Sequence, residues 1–394
     1  MFEPLRHLVK LEYGHALPSE KRTGFGYPVY GSNGLVGFHE APLVEGPGVV
    51  VGRKGSVGKV LWSETGFWPI DTTYYVEAEG CEMPWLYRVL DWLPLDRLDT
   101  STGVPGLNRN DVYEISVFVP QEAEQSLISR VLDTLDTQIQ KTEALIAKLE
   151  KVKEGLLHDL LTRGIDENGQ LRPSPEQAPE LYKDSPLGLI PREWEVVSFL
   201  DAVEFPSGQV SPLIEPYASL PLVAPDHIEA GTSRLIRVET AREQGAISGK
   251  YIVRPGDVVY SKIRPYLKKA WLAEIDSICS ADMYPLSPKL LTSAILLRIV
   301  MSENFSTYAN AASMRTGIPK INREELAGYT FALPTMQEQV RMENIFQEIE
   351  RRAEKERETL CKLVSEKNGL MDDLLTGRVR VTPLLEQAQA TTPA

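Results

Sequence analysis

Thr102-Gly-Val-Pro-Gly-Leu-Asn-Arg109 recurs as Thr316-Gly-Ile-Pro-Lys-Ile-Asn-Arg323, and this repetition decides how the 394-residue chain is organised. The offset of 214 residues holds without a gap for roughly 60 residues. Along it Pro120 meets Pro334, Glu124-Gln125 meets Glu338-Gln339, Gly155-Leu156 meets Gly369-Leu370, and Asp159-Leu-Leu-Thr162 meets Asp373-Leu-Leu-Thr376. A weaker match precedes it: Pro47-Gly-Val-Val-Val51 with Lys54 answers Pro255-Gly-Asp-Val-Val259 with Lys262, at an offset of 208. Solenoid and propeller units repeat every ~20–50 residues. A period of 214 therefore means a duplicated module, each copy a globular part followed by a helix.

The helical part shows in the apolar spacing. Ile128, Leu132, Leu135, Ile139, Ile146, Leu149, Leu156 and Leu160 alternate steps of four and three, interrupted by Thr142 and Lys153. Met342, Phe346, Ile349, Ala353, Leu360, Leu363, Leu370 and Leu374 repeat the pattern, interrupted by Glu356 and Lys367. Such a seam predicts a coiled coil, with two helices of ~60 Å each packed antiparallel if the modules sit at opposite ends. Pro120 and Pro334 suit the first turns; Gly164 and Gly377 suit the stops. The globular parts carry short runs bounded by Gly or Pro that read as strands: Gly48–Gly52, Gly58–Trp62, Thr72–Val76, Asp257–Tyr260 and Lys269–Leu272. The expected fold class is α+β: two globular domains separated by two long helices, with a pseudo-twofold repeat. The expected boundaries are 1–120 and 191–334 for the globular domains, 121–163 and 335–376 for the helices, 164–190 for an irregular, proline-containing connector, and 377–394 for a tail.

Several functions are disfavoured. Met1-Phe-Glu-Pro-Leu-Arg6 has no basic region followed by an apolar run, so no secretory signal is expected, and no apolar stretch is long enough to span a membrane. Cys81, Cys279 and Cys361 are widely spaced, which suits a reducing cytoplasm rather than a disulfide framework or a zinc site. The five histidines show no metal-binding spacing. There is no GxxxxGK[ST] loop, no strand-linked GxGxxG and no Asn/Asp-Pro-Pro-Tyr tetrad. Gly24, Gly26, Gly31, Gly34 and Gly37 read either as a turn-rich loop or as a phosphate cradle. No catalytic residue is expected.

What remains is the chemistry of nucleic-acid contact: cations interleaved with aromatics and small polar side chains. In the first module these are Tyr27, Tyr30, Ser32, Asn33, Arg53, Lys54, Ser56 and Lys59. In the second, Tyr260, Lys262, Arg264, Tyr266, Lys268 and Lys269 crowd ten positions, and four cations within eight of them point to an anion. The duplicated loop adds Thr102, Arg109, Arg315, Thr316 and Arg323. Its Gly and Pro fix a turn and Asn108 or Asn322 caps the next element, or its arginines and threonines bind phosphates; both readings stand at this point.

Tyr27-Pro-Val-Tyr-Gly-Ser-Asn-Gly34, the two Thr-Gly-x-Pro-x-x-Asn-Arg loops, Pro120…Glu124-Gln125 with Pro334…Glu338-Gln339, Leu156-Leu-His-Asp-Leu-Leu-Thr-Arg-Gly164, Ile190-Pro-Arg-Glu-Trp194 and Asp373-Leu-Leu-Thr-Gly-Arg-Val-Arg380 together resemble the specificity subunit of type I restriction–modification systems. The resemblance covers nearly the whole chain, in the family's order, although the first module lacks an Ile-Pro-x-x-Trp opening. It implies two target recognition domains, each reading half of a bipartite asymmetric DNA site, with the helix pair setting the gap. It also implies two modification (methyltransferase) subunits as partners, joined by restriction subunits. S-adenosylmethionine, ATP and Mg would sit on those partners and no cofactor on this chain. The alternative is a coiled-coil scaffold that binds protein partners without contacting DNA. The formal charge of −13 argues against nucleic acid only as an average. Residues 1–125 carry 10 basic against 17 acidic side chains, whereas 194–334 carry 14 against 15. The isolated chain is thus expected to bind DNA weakly and to grip it only with partners.

Overall fold

The computed structural model describes residues 1–98, 106–314 and 318–390. The chain divides into two compact units, Met1–Leu145 with Glu356–Ala394, and Ile146–Lys355. Both divisions fall within long helices, Glu122–Thr162 and Met336–Leu375. Each unit therefore owns the start of one long helix and the end of the other.

In the first unit the strands Val9–Tyr13, Thr73–Ala78, Gly48–Gly52 and Val60–Ser63 form a four-stranded antiparallel sheet in that order. Gly34–His39, Tyr27–Gly31 and Trp68–Pro69 form a three-stranded one, its last pair parallel. The glycine-rich stretch is thus largely a β-hairpin. The helix Met83–Trp92 buries Trp85, Leu86, Val89 and Leu90 against Val49, Val51, Tyr74 and Val76. The second unit repeats this inventory. Its four-stranded sheet runs Val203–Glu204, Met283–Pro288, Val258–Ser261, Ala270–Leu272, and its three-stranded sheet Leu222–Val223, Ser277–Cys279, Tyr251–Val253. The helix Ser293–Met301 buries Ile295, Leu296, Ile299 and Val300 against Val258, Tyr260 and Leu286. The architecture is mixed α+β, and the strands fall within about two residues of the runs that the Gly and Pro boundaries mark out.

The long helices begin two residues after Pro120 and Pro334, not on them. The reason lies in the proline carbonyls. Gln125 Nε2 donates to Pro120 O at 3.0 Å, and Gln339 Nε2 to Pro334 O at 2.9 Å. Each glutamine's own carbonyl then accepts a backbone N–H, from Glu82 at 2.8 Å and from Thr292 at 2.9 Å. Glu82 and Thr292 are the residues that start the two domain helices. One buried amide therefore ties the start of a long helix to the start of a domain helix in each unit.

The neighbouring glutamates are buried as well, and the segment that follows the other long helix satisfies them. Glu338 accepts from Arg172 at 2.5 and 3.2 Å, from Trp194 Nε1 at 2.8 Å and from the Ile165 N–H at 2.8 Å. Glu124 accepts from Arg380 at 2.5 and 3.0 Å and from the Thr382 hydroxyl at 2.7 Å. Gly164 and Gly377 permit these turns, with φ of +65° and +72°. A Cβ on Gly164 would meet Glu338 Oε1 at 2.1 Å, and one on Gly377 the Phe118 ring at 2.7 Å. The connector is accordingly less irregular than its composition suggests. It supplies Arg172 and a hairpin, Tyr182–Ser185 with Gly188–Pro191. Its first turn holds because the Asp166 carboxylate accepts the Asn168 and Gln170 N–H groups at 2.9 and 2.8 Å.

The lysines that interrupt the apolar seams serve a second duplicated device. Asp136 lies between Arg88 of the domain helix at 2.5 Å and Lys367 of the second long helix at 2.6 Å. Glu350 lies between Arg298 at 2.6 Å and Lys153 of the first long helix at 3.1 Å. Burial raises both carboxyls, but the flanking cations outweigh it and hold them below the usual carboxylate range. The seam itself is buried where it meets a globular core, at Ile128, Leu132, Leu160, Met342, Phe346 and Leu374. It is half-buried at Leu135, Ile139, Leu360 and Leu363, as expected where two helices have only each other to cover them.

Glu350→Ala leaves the buried Arg298 guanidinium without a carboxylate and is expected to cost about 3 kcal/mol. Asp136→Ala, which leaves Asp133 on Arg88, is expected to cost about 1 kcal/mol; urea unfolding of the two variants measures the difference. Because both folded-state pKa values are depressed, this stability is present above the ordinary carboxylate range and lost as pH falls through the depressed values. Glu350→Gln should flatten the acid limb of a stability–pH curve.

Candidate nucleic-acid interface

Arg53 follows directly on the fully buried strand Gly48–Gly52, and the backbone pins it from two sides. Its N–H donates to Thr72 O at 2.9 Å, and its carbonyl accepts from the Leu107 N–H at 2.8 Å. Leu107 belongs to the duplicated loop, so strand end and loop are joined there, with Lys54 bridged to Gly106. The Arg53 guanidinium lies 5.1 Å from the centre of the Tyr13 ring and 5.9 Å from that of Tyr74. Arg109, from the end of the loop, lies 5.1 Å from the same Tyr13 ring. Burial beside Tyr13 pushes the Tyr74 phenol up to about 12, so it stays neutral and donates to Leu107 O at 3.0 Å.

Other sequence-predicted residues of this unit gather beside that pair. Ser32 and Asn33 form the tip of the Tyr27–His39 hairpin, and Lys59 Nζ donates to the Asn33 carbonyl at 2.8 Å. A Cβ on Gly52 would meet Ser56 O at 2.1 Å and Ser32 O at 3.1 Å, so the hairpin tip and the turn bearing Lys54 and Ser56 pass close together. Lys54 and Tyr27 are exposed, whereas Tyr30 packs edge-on against Phe67.

The second unit is built alike. Lys262 donates its N–H to Asp282 O at 3.0 Å and accepts from the Ile321 N–H at 2.9 Å, with Ile263 bridged to Lys320. Its ammonium lies 4.7 Å from the centre of the Tyr284 ring. Arg323 lies 5.7 Å from that ring and 5.4 Å from Phe205, and donates to Pro206 O. Burial, then the neighbouring Lys320 and Arg323 charges, push the Lys262 ammonium down. The ladders pair Val51 with Tyr74 and Tyr260 with Tyr284. The structural counterpart of Lys262 is therefore Arg53, not the Lys54 that the sequence offset matched. The sequence offset and the ladder register differ by one residue.

The rest of the basic run disperses. Lys268 pairs with Glu303, and Lys269 Nζ donates to Pro225 O at 2.7 Å. Arg264 and Tyr266 are exposed. Arg264 and Lys268 both adopt left-handed backbone, φ 48° and 46°, which turns successive side chains in different directions. Lys268 also lines a cavity of about 880 Å³ between the end of the first long helix, the connector hairpin and the helix Glu303–Ser313. Thr102, Arg315 and Thr316 lie outside the described residues. The ring partners Tyr13, Tyr74, Phe205 and Tyr284 were not foreseen; their only sequence signal is that Tyr74 and Tyr284 fall in matching strands.

Both open readings of the loop retain support. The Asn108 side chain accepts from the Asn110 N–H at 3.0 Å, and Asn322 from the Glu325 N–H at 2.8 Å, with Glu325 accepting in return from the Asn322 N–H. The asparagines cap, which leaves the arginines that follow them available. Asn322→Ala is expected to cost about 1 kcal/mol, with Asn322→Asp or Asn322→Ser recovering most of it in the same urea assay. Among the described residues no group of three His, Cys, Asp or Glu is arranged to hold a metal, and no helix is long and apolar enough to cross a membrane.

The family model for the type I restriction modification DNA specificity domain matches residues 4–151 and 191–363. The chain is 31% identical over 280 residues to the type I restriction enzyme EcoDI specificity subunit of Escherichia coli, covering 68% of this chain and 62% of that protein. It is 25% identical over 295 residues to the MjaVIII specificity subunit of Methanocaldococcus jannaschii, covering 72% and 66%. The matches thus span less than two thirds of those relatives. The crystal structure of a type I restriction–modification S subunit from M. genitalium shares the fold, with a TM-score of 0.60 at 14% identity over 95% of this chain and 96% of that one. Two matched regions that each contain one copy of the anchored loop, together with a shared fold along the chain, place this protein in the family of type I restriction–modification specificity subunits.

Proposed function

We propose that this chain is the DNA-reading subunit of a type I restriction–modification complex, in which each unit holds one target recognition domain and reads one half of a bipartite, asymmetric site. The observation that carries this reading is the recurrence of one backbone-anchored cation pair, Arg53 with Arg109 and Lys262 with Arg323, in two units whose surrounding loops differ. A protein that meets two half-sites needs a common means of engagement beside two different reading surfaces. The long helices, packed antiparallel as a coiled coil about a pseudo-twofold axis, then act as a ruler. Helices of ~60 Å are long enough to separate two readers by a DNA turn of ~34 Å.

In this reading the chain is not catalytic. Two modification subunits bring S-adenosylmethionine, and restriction subunits bring ATP and Mg, in the cytoplasm. Methylome sequencing of a host carrying this chain with its modification subunit is expected to give both half-sites and their spacing. The assembled complex should then bind that duplex tightly, tolerate changes of spacer sequence, and lose binding by an order of magnitude or more when one base pair is inserted into the spacer. Unchanged binding after the insertion would sink the ruler. Under the scaffold reading, charge reversal at Arg53 and Lys262 would leave assembly and function untouched; a DNA reader loses affinity and salt sensitivity together.

A further inference from the structure

Four cations are held in a way that their own chain leaves incomplete. Arg53 and Arg109 share the Tyr13 ring, and Lys262 and Arg323 share the Tyr284 ring. Among the described residues no carboxylate oxygen comes within 4.0 Å of any of these four groups. Elsewhere Arg88, Arg298 and Arg172 each meet a carboxylate, whereas the buried Lys250 ammonium is held by the Ser248 carbonyl and hydroxyl. Among the described residues, their direct contacts are ring faces and single carbonyls: Asp71 O for Arg53 at 2.7 Å, Leu11 O for Arg109 at 3.2 Å and Pro206 O for Arg323. Arg53 Nε is buried with no hydrogen-bond partner. Two like charges facing one ring repel, and a ring face returns only about 0.5–2 kcal/mol per cation, so an anion brought to either pair would be stabilised.

The choice of anion follows from the symmetry of construction. The same two backbone hydrogen bonds fix the cation in both units: Arg53 N–H to Thr72 O with Leu107 N–H to Arg53 O, and Lys262 N–H to Asp282 O with Ile321 N–H to Lys262 O. A group that reads bases must change when the half-site changes. A group anchored by the same backbone hydrogen bonds in both copies meets something that both half-sites have in common. We infer that each cation pair is a sequence-independent seat for a backbone phosphate of the duplex, one at the corresponding point of each half-site, and that base reading belongs to the surrounding hairpins and turns. This rests on the proposed function and assigns a division of labour within it. The swap of Arg for Lys between the copies fits the role, since a phosphate accepts either cation whereas a guanine edge favours the planar fork.

The test uses the chain assembled with its modification subunits, the duplex found by methylome sequencing, and a duplex with both half-sites scrambled. Arg53→Gln and Lys262→Gln are each expected to weaken both duplexes by the same factor, about tenfold, between about 50 and 200 mM salt. Each should lower the salt slope by about 0.9, the value of one phosphate contact, and leave the ratio of cognate to scrambled affinity unchanged. Arg53→Lys and Lys262→Arg should keep the slope. A collapse of the ratio would show base reading, and an unchanged slope with a lowered melting temperature would show a packing role; either overturns the inference. Should the glutamine variants fail to assemble, single methylphosphonate substitutions in the duplex decide the matter with the wild-type complex. One neutralised phosphate at matching positions of each half-site is expected to cost binding, and no such position means no seat. If the wild-type complex shows no preference for its duplex, it is the proposed function that fails.

Discussion

A carboxylate held between two cations from two other elements is the constraint on which each unit depends. Asp136 joins a long helix to the domain helix through Arg88 and to the opposite long helix through Lys367; Glu350 does the same through Arg298 and Lys153. Because the two arginines are buried, neither can turn away to water; removal of Glu350 strands Arg298, whereas Asp133 still meets Arg88 when Asp136 is removed. The glutamine amides hold the same pair of helices at the domain helix's first residue. Two fixed points along one short helix leave it no freedom to rotate. The sheet that packs on that helix, and the cation at the end of its central strand, inherit the orientation.

The duplication and the helical seams were legible because they are local. An apolar period of three and four is written in consecutive residues, and so are valine-rich runs between glycines. The pairings that lock the fold were not legible, since Lys153 and Glu350, or Asp136 and Lys367, are some two hundred residues apart. In the sequence Lys153 and Lys367 register only as breaks in an apolar stripe. The run from Lys262 to Lys269 shows the opposite difficulty. Its charge density was plain, but a tight turn through left-handed residues spends Lys268 and Lys269 on Glu303 and Pro225.

The candidate interface was half legible for the same reason. Arg53, Arg109, Lys262 and Arg323 stand out by type, and the loop by repetition. That they meet in pairs depends on a strand register and on aromatic rings contributed by other strands, Tyr13 from the edge of one sheet and Tyr284 from the strand next to Tyr260 in the other. The single-residue difference between the sequence offset and the ladder register was enough to match Lys54, rather than Arg53, to Lys262.

The two arginine clasps at the starts of the long helices differ in their exposure. Arg172 and Glu338 are both buried, whereas Arg380 is 47% exposed on a buried Glu124. Water and salt reach one and not the other. Local opening is therefore expected more readily in the segment after Gly377 than in the connector. The expected consequence is that amides around Arg380 exchange with solvent before those around Arg172.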